Sequence, residues 1–268
     1  MNHENRVERG VAKEWLHEFL DGVFPPRCLV CGRSAPGNGW ACPLHALPEE
    51  RADLRCLSCA RRLPQFALEG ERCPACRESS PALKRLLVLA DYGHGEPIRD
   101  WILALKHGGR SELAEPLGRA LGLLHRGSVL DLDSEGDAYV PVPLHPLRHM
   151  ERGYDQARGL ARGAKEVTGV PVVRALRRSR YTLPQGEAGS TGRFANLSGA
   201  IAAYRGNGLR GKRVWLIDDV VTSGATLAAC AKVARRLGAR EVCGVALALA
   251  VPQGSESRVR GPGLGPFY

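Results

Sequence analysis

The sequence predicts an α/β protein, with a parallel sheet flanked by helices and a small cysteine-rich module ahead of it. After Pro81, apolar runs alternate with stretches of helical periodicity, which is the pattern of buried parallel strands joined by helices. Seven of the nine cysteines are concentrated between Cys28 and Cys76. Apolar residues make up 44% of the 268-residue chain and charged residues 25%, values close to globular averages that argue against general disorder.

The charge balance and the absence of long apolar runs narrow the class of protein. Lys and Arg total 38 against 28 Asp and Glu, a formal net charge of +10, which is compatible with a polyanionic partner but does not identify one. The longest apolar run, residues 242–251, contains Gly244 and is too short to span a bilayer. The first residues mix both charges, unlike a secretory signal peptide. We expect a cytoplasmic protein without a membrane span.

The elements are predicted in order along the chain. Residues 1–26 predict an amphipathic helix that ends at Pro25-Pro26 and packs on the protein's own core. Strands are predicted over residues 86–92, 138–142, 170–173, 214–217 and 242–249, with helices over 98–105 and 158–167 and between the last two strands. The predicted division is 1–26 helix, 27–79 cysteine module, 80–250 sheet domain and 251–268 flexible tail.

Two connecting segments have unusual compositions. Residues 131–137 are acidic and rich in turn formers, whereas residues 177–193 are rich in Arg, Gly and Pro and predict a long loop of the kind that is often functional. The Arg residues of this loop, and one before it, are candidates for closing over a ligand or following a nucleic-acid backbone, although exposed Arg is often merely solvated. They are Arg152, Arg177, Arg178 and Arg180.

The clustered cysteines indicate metal binding. They form the pairs 28/31, 56/59 and 73/76, and Cys42-Pro-Leu-His45 repeats the spacing with an imidazole. An odd number of cysteines suits disulfides poorly, and a redox Cys-x-x-Cys needs a βαβ context that this segment lacks. Four such pairs suffice for two tetrahedral structural zinc sites. The simplest pairing is sequential, with Cys28, Cys31, Cys42 and His45 at one zinc and Cys56, Cys59, Cys73 and Cys76 at the other.

The most informative segment runs from Arg213 to Leu227. An apolar strand leads into Asp218 and Asp219, then into a Thr/Ser/Gly turn, then into a helix. A helix that opens in such a turn offers backbone N–H groups and a positive dipole end to a phosphate. Adjacent carboxylates at the end of a parallel strand suit the vicinal hydroxyls of a sugar, directly or through a divalent ion.

This segment resembles the phosphoribosyl pyrophosphate (PRPP) signature of type I phosphoribosyltransferases, which have a parallel sheet flanked by helices. The resemblance implies that Asp218 and Asp219 contact the ribose of PRPP, with Mg²⁺ accompanying the ligand. It implies a 5′-phosphate site in the turn, formed by Thr222, Ser223, Gly224, Ala225 and Thr226.

Further motifs make the chain similar to the ComF competence-protein family, whose members combine this domain with a double zinc ribbon. These motifs are Leu105–Arg110, Pro141–His145, Arg152–Gln156, Thr182–Gln185 and Arg193–Asn196. Asp155 stands where the family usually has Asn, and His45 where it usually has a zinc cysteine. Within this resemblance Lys106 and Arg110 belong to a pyrophosphate loop; the alternative is a plain glycine turn with solvated basic residues.

The leading hypothesis is a PRPP-binding, ComF-like protein involved in DNA uptake during natural transformation. The resemblance implies binding of single-stranded DNA and work beside a DNA helicase of the uptake machinery. One alternative is an active phosphoribosyltransferase, in which a nitrogenous acceptor attacks the ribose as pyrophosphate leaves. Another is a PRPP-sensing regulator, which uses the same site without turnover.

Overall fold

The computed structural model describes residues 26–35, 41–47, 53–93, 96–107, 109–129, 133, 135–144, 153–178, 200–204 and 208–250. The predicted N-terminal helix and C-terminal tail lie outside these ranges, as do Arg152, Arg180 and most of the predicted loop at residues 177–193.

The described elements follow one another in this order: α1 (Pro74–Glu78), β1 (Leu86–Tyr92), α2 (Pro97–His107), a short 3₁₀ helix (Ser111–Leu113), α3 (Ala114–Ser128), β2 (Asp137–Pro141), α4 (Gln156–Thr168), β3 (Leu176–Arg178), β4 (Ile201–Ala203), β5 (Arg213–Val221), α5 (Ala225–Arg236) and β6 (Glu241–Ala250). No helix in the described ranges has both the length and the apolar character that crossing a bilayer requires.

Four strands form a parallel sheet in the order β1-β6-β5-β2. The two longest strands, β5 and β6, lie at its centre, and their apolar runs reflect burial on both faces. Along β5, Val214 and Leu216 face one core cluster, whereas Trp215 and Ile217 face the other. The predicted class, a parallel sheet flanked by helices and preceded by a cysteine-rich module, is confirmed.

Helices cover both faces of the sheet. On one face, α5 contributes Leu227, Cys230 and Ala231 to a core cluster with Leu216 of β5. On the other face, α2, α3 and α4 pack against the sheet through a cluster that includes Trp101, Leu117 and Leu160. Cys230 and Cys243 are buried within these clusters, as expected for free cysteines that pack as small apolar side chains.

Two expectations need correction, and one helix was not predicted. Residues 170–173 do not form a strand: Val172 makes only an isolated parallel bridge with Tyr139. Arg177 and Arg178, predicted to lie in the loop, belong instead to β3, which pairs antiparallel with β4. The sequence patterns also do not predict α3, because Pro116 and several glycines lower its intrinsic helical propensity.

Close packing against α4 explains Gly118 and Gly122 of α3. A Cβ atom on Gly118 would lie 2.2 Å from the backbone oxygen of Leu160, and one on Gly163 of α4 would lie 2.1 Å from the backbone oxygen of Glu115. Side chains at these positions would force the helix axes apart. Glycine therefore allows a helix–helix contact that outweighs its poor propensity.

Candidate metal centres and ligand cleft

The two cysteine modules are built from the same backbone turn. In the first module, the amide of Cys28 donates to the carbonyl of Arg33 at 2.7 Å. In the second, the amide of Cys56 donates to the carbonyl of Arg61 at 2.8 Å. The residue after the second cysteine is in the left-handed region in both turns, Gly32 at φ 72° and Ala60 at φ 57°. This conformation folds the turn so that both thiols of a pair face the same side.

The first cluster gathers Cys28, Cys31, Cys42 and His45, whose ligand atoms all lie within 4.8 Å of one another. The Sγ atoms of Cys31 and Cys42 are 3.7 Å apart, and His45 Nδ1 lies 3.3 Å from Cys42 Sγ. Ligands at Zn–S distances near 2.3 Å in a tetrahedron are separated by about 3.8 Å. The cluster therefore fits a tetrahedral metal ion.

The second cluster consists of Cys56, Cys59, Cys73 and Cys76, again with all ligand atoms within 4.8 Å. Cys59 Sγ and Cys73 Sγ are 3.7 Å apart. Burial raises the pKa of the Cys59 and Cys76 thiols. At Cys56 burial acts in the same direction, but hydrogen bonds from the backbone of Cys73, Cys59 and Ser58 outweigh it and lower the pKa to about 7. These bonds favour the thiolate that a metal requires.

The first cluster is attached to the sheet domain through its histidine. Trp101 of α2, fully buried, donates from Nε1 to the backbone oxygen of His45 at 2.8 Å. On the same helix, Asp100 Oδ2 lies 3.4 Å from His45 Nε2. Because Nδ1 faces the cysteine sulfurs and Nε2 faces a carboxylate, the imidazole is held in the orientation of a metal ligand with an outer carboxylate partner.

The second module is attached by an ionic network at the carboxyl end of β1. The carboxylate of Asp91 forms ion pairs with Arg55 Nη1 and Arg62 Nε, each at 2.6 Å. Both arginines also contact Asp53, and together they hold the pKa of Asp91 below its usual range despite its burial. Each cysteine module thus has its own polar attachment to the sheet domain.

The turn after β5 has the geometry expected of an anion site. Gly224 adopts the left-handed conformation at φ 74° and is the N-cap residue of α5, so it has no side chain of its own to cap the helix. A Cβ atom built on Gly224 would meet nothing within 4 Å, and the neighbouring hydroxyl residues Thr222 and Ser223 are exposed. Ser223 Oγ accepts from the amide of Ala225 at a long 3.4 Å, a weak contact that a phosphate approaching the helix start could replace.

The two acids adjoin this turn in a cleft of about 200 Å³. Asp219 Oδ2 lies 3.1 Å from Lys106 Nζ at the end of α2. Removal from water, with a contribution from neighbouring Asp219, raises the pKa of Asp218 to about 7. A cation placed between these carboxylates would relieve their repulsion, and a divalent ion or sugar hydroxyls are suitable ligands.

Comparison with known proteins identifies the family. No family model matches the chain. The DNA utilization protein YhgH of Escherichia coli K12 is 30% identical over 226 residues, which cover 80% of this chain and 86% of that protein. Competence protein F of Haemophilus influenzae is 29% identical over 190 residues, covering 70% and 81%. The chain belongs to the ComF family.

Solved structures are also similar to this ComF protein over about half of its length. The allosteric regulatory enzyme of purine biosynthesis is 26% identical, with a TM-score of 0.34, and covers 50% of the ComF chain and 25% of its own. The purine phosphoribosyltransferase from Pyrococcus horikoshii is 21% identical, with a TM-score of 0.31, over 51% and 73% of the two chains.

The structure brings together some of the predicted site residues of the ComF protein and separates others. Lys106, Asp218, Asp219 and Thr226 line the cleft, and so does Arg178. Arg110 does not line this cleft; its Nε pairs with Glu112 Oε1 at 2.6 Å. Exposed Arg177 donates to the backbone oxygen of Ala203 at 3.2 Å.

Sequence reasoning did not assign one wall of the ComF cleft. Asp155, Gln156 and residues 142–144 after β2 also line the cleft. Asp155 is the N-cap of α4, and its side chain accepts the amide of Arg158 at 3.1 Å. Asn and Asp cap helices about equally well, so either residue suits this position. The Arg152–Gln156 motif is the available signal in the sequence, but its spacing alone does not reveal that Asp155 and Gln156 line the same cleft as Asp218.

Proposed function

We propose that this ComF protein binds PRPP together with Mg²⁺ in the cleft at the carboxyl end of β5, and acts with single-stranded DNA in DNA uptake. The observation that carries the PRPP assignment is the position of Asp218 and Asp219 directly beside the start of α5, whose N-cap residue is Gly224. A ribose phosphate has hydroxyls for the carboxylates and an anionic group for the amides, so a single ligand satisfies both.

Each group has a separate role in this proposal. Asp218 and Asp219 accept hydrogen bonds from the ribose hydroxyls or hold Mg²⁺, while the turn from Thr222 to Thr226 donates to the 5′-phosphate. Lys106 pairs with Asp219 at 3.1 Å and would contact the diphosphate in place of that carboxylate when PRPP binds. Mg²⁺ contributes the additional positive charge that binding a polyanion beside two acids requires.

Two observations support DNA as the partner. Relatives that match most of the chain are named a DNA utilization protein and a competence protein. The chain also carries a formal net charge of +10, which favours association with a polyanion.

We further propose that zinc occupies both cysteine clusters. Their thiolate-rich, closed ligand sets are typical of structural zinc sites and leave no position open for a substrate. The metals would stabilise two modules that have little hydrophobic core of their own; in the first, the buried apolar residues are Cys28, Ala35 and Cys42.

Calorimetry tests the PRPP assignment. Titration of the purified protein with PRPP is expected to show binding in the presence of Mg²⁺ and much weaker binding in EDTA, because the ion offsets the charge of Asp218 and Asp219. Ribose 5-phosphate, which lacks the diphosphate, is the matched control that isolates the contribution of this group to binding. Absence of binding with Mg²⁺ would contradict the proposal. Release of pyrophosphate with nitrogenous acceptors present would favour the transferase alternative over binding alone.

The orientation of His45 leads to a second prediction. Asp100→Asn is expected to lower the metal affinity of the first cluster by about 10- to 100-fold, the range measured for outer partners of ligating histidines. The reason is that the carboxylate fixes the imidazole with Nδ1 toward the metal. Competition with a chromophoric chelator measures this affinity without any assay of function.

A double-mutant comparison separates this role from general stability. In the His45→Cys background the fourth ligand no longer has a second ring nitrogen, so Asp100→Asn should leave metal affinity unchanged. An equal loss in both backgrounds would mean that Asp100 supports the helix and does not orient the ligand.

A further inference from the structure

Basic residues are unevenly distributed at the end of the parallel sheet where its strands begin, that is, beside the amino termini of the strands. Three adjacent strands, β1, β6 and β5, are each preceded by cations. They are Lys84 and Arg85 before β1, Arg235, Arg236 and Arg240 before β6, and Arg210 and Lys212 before β5. The outer strand β2 is preceded instead by Asp133 and Glu135. We call the seven cations the basic edge.

Backbone contacts make the basic edge one continuous surface. The amide of Arg240 donates to the carbonyl of Lys212 at 2.9 Å, and the amide of Gly211 donates to the carbonyl of Gly238 at 2.8 Å. The guanidinium of Arg235 donates to the backbone oxygen of Ala82, just before Lys84. The segments before β5, β6 and β1 therefore touch one another in that order.

Most cations of the basic edge lack an acidic partner. Lys84, Arg210, Arg236 and Arg240 are exposed, and none forms an ion pair with an acid in the part of the chain that the structure describes. Two exposed arginines of α3 and α4 differ: Arg119 pairs with Glu166 at 2.8 Å, and Arg162 with Glu115 at 2.9 Å. Positive charge at the basic edge is thus available to an external anion.

The basic edge lies at the opposite end of the sheet from the PRPP cleft. Lys212 precedes β5 and Asp218 lies near its end, and at about 3.3 Å per residue the two positions are about 20 Å apart. At moderate salt this exceeds the Debye length of about 8–10 Å. An anion at the basic edge would therefore not experience strong repulsion from Asp218 and Asp219.

We propose that the basic edge receives the phosphodiester backbone of a single nucleic-acid strand. This inference rests on the DNA part of the proposed function and supplies its surface. Three neighbouring strands span about 10 Å, so the basic edge is a narrow surface along which one phosphodiester backbone can lie. The acids before β2 end the positively charged surface on one side. A single backbone would therefore lie along the basic edge from β5 to β1. Contact with phosphates makes the binding independent of sequence and dependent on salt.

Fluorescence anisotropy with a labelled mixed-sequence oligonucleotide tests this surface. The variant Lys84→Gln, Arg210→Gln, Arg240→Gln removes one exposed cation before each of the three strands. We expect its affinity to fall by about tenfold or more at low salt, and its log-affinity against log-salt slope to become shallower by about 0.7 for each phosphate that is no longer neutralised. The matched control, Arg119→Gln, Arg162→Gln, Lys165→Gln, removes the same charge from α3 and α4 and should keep the wild-type slope.

The outcomes separate this inference from the proposed function. If the wild type binds and both triple variants weaken equally, or neither does, the basic edge is not the DNA surface and the proposed function stands. If the wild type shows no salt-dependent binding at about 50 mM salt or below, the DNA partner itself is wrong. Tighter binding of duplex than of single strand would overturn the assignment to one backbone. Calorimetry with Mg²⁺ and PRPP should be unchanged in the basic-edge variant, which verifies that it is folded.

Discussion

Replacing Cys56 with serine is expected to release one of two metal ions and to unfold the second cysteine module. Metal binding supplies on the order of 10 kcal/mol per structural zinc site at neutral pH, far more than so small a module can obtain from its apolar contacts. The first cluster should keep its metal, because its ligands and its attachment to Trp101 do not involve Cys56. Elemental analysis should fall from about two equivalents of zinc to about one.

The control for Cys56→Ser is Cys243→Ser. Cys243 is equally buried but lies in β6, outside both clusters, so this variant should retain both metals even if the core loses some stability. Limited proteolysis should cut the Cys56→Ser protein between residues 53 and 80 and spare the sheet. A folded wild-type protein free of metal would refute the assignment.

Replacing Gly224 with valine is expected to abolish detectable PRPP binding. The branched side chain would occupy the open space beside the first amides of α5, where a Cβ atom meets no protein atom within 4 Å. Asp219→Asn should have a smaller effect, about 1.5–3 kcal/mol, which is the range for hydrogen bonds to a charged group. Calorimetry with Mg²⁺ and PRPP measures both effects.

Gly211→Val controls for the backbone strain that valine introduces. Gly211 has the same φ of 74° and the same open surroundings. It lies just before β5, however, at the opposite end of that strand from Gly224. Both valine variants should therefore lose similar thermal stability, while only Gly224→Val loses the ligand. If Gly224→Val and Asp219→Asn both bind PRPP with wild-type affinity, PRPP does not bind at this turn.

Local patterns predicted the four strands of the parallel sheet and the ligands of the metal clusters, but they also predicted a strand at residues 170–173 that does not form. β1 matches its predicted bounds, and β5 and β6 extend their predicted apolar runs by a few residues. Burial on both faces leaves a continuous apolar signal in such strands. The four ligand pairs were also recognisable, because a two-residue gap between ligands is fixed by the local turn. The sequential pairing of these ligands agrees with the two clusters.

Features that depend on distant contacts were not predictable from local patterns. Glycines reduce the helical signal of α3, and Gly118 and Gly122 are required by the close approach of the α4 backbone. Arg178 is one more cation in a polar stretch of sequence, yet pairing of β3 with β4 brings it to the cleft. Arg110 shares a motif with Lys106, but the helix end directs Lys106 toward Asp219 while Arg110 pairs with Glu112. Sequence shows proximity along the chain, whereas these placements depend on proximity in space.

The strand order has a consequence for synthesis on the ribosome. β6 is the last described strand, and it lies between β1 and β5. Neither β1 nor β5 can therefore pair with β6 until residues 241–250 have left the exit tunnel. Each cysteine cluster, in contrast, draws its ligands from a short stretch near the beginning of the chain and can close around a metal at once. We therefore expect nascent chains to carry finished metal modules beside an open, incomplete sheet. A chain that terminated before Glu241 would leave the apolar edges of both strands exposed to aggregation.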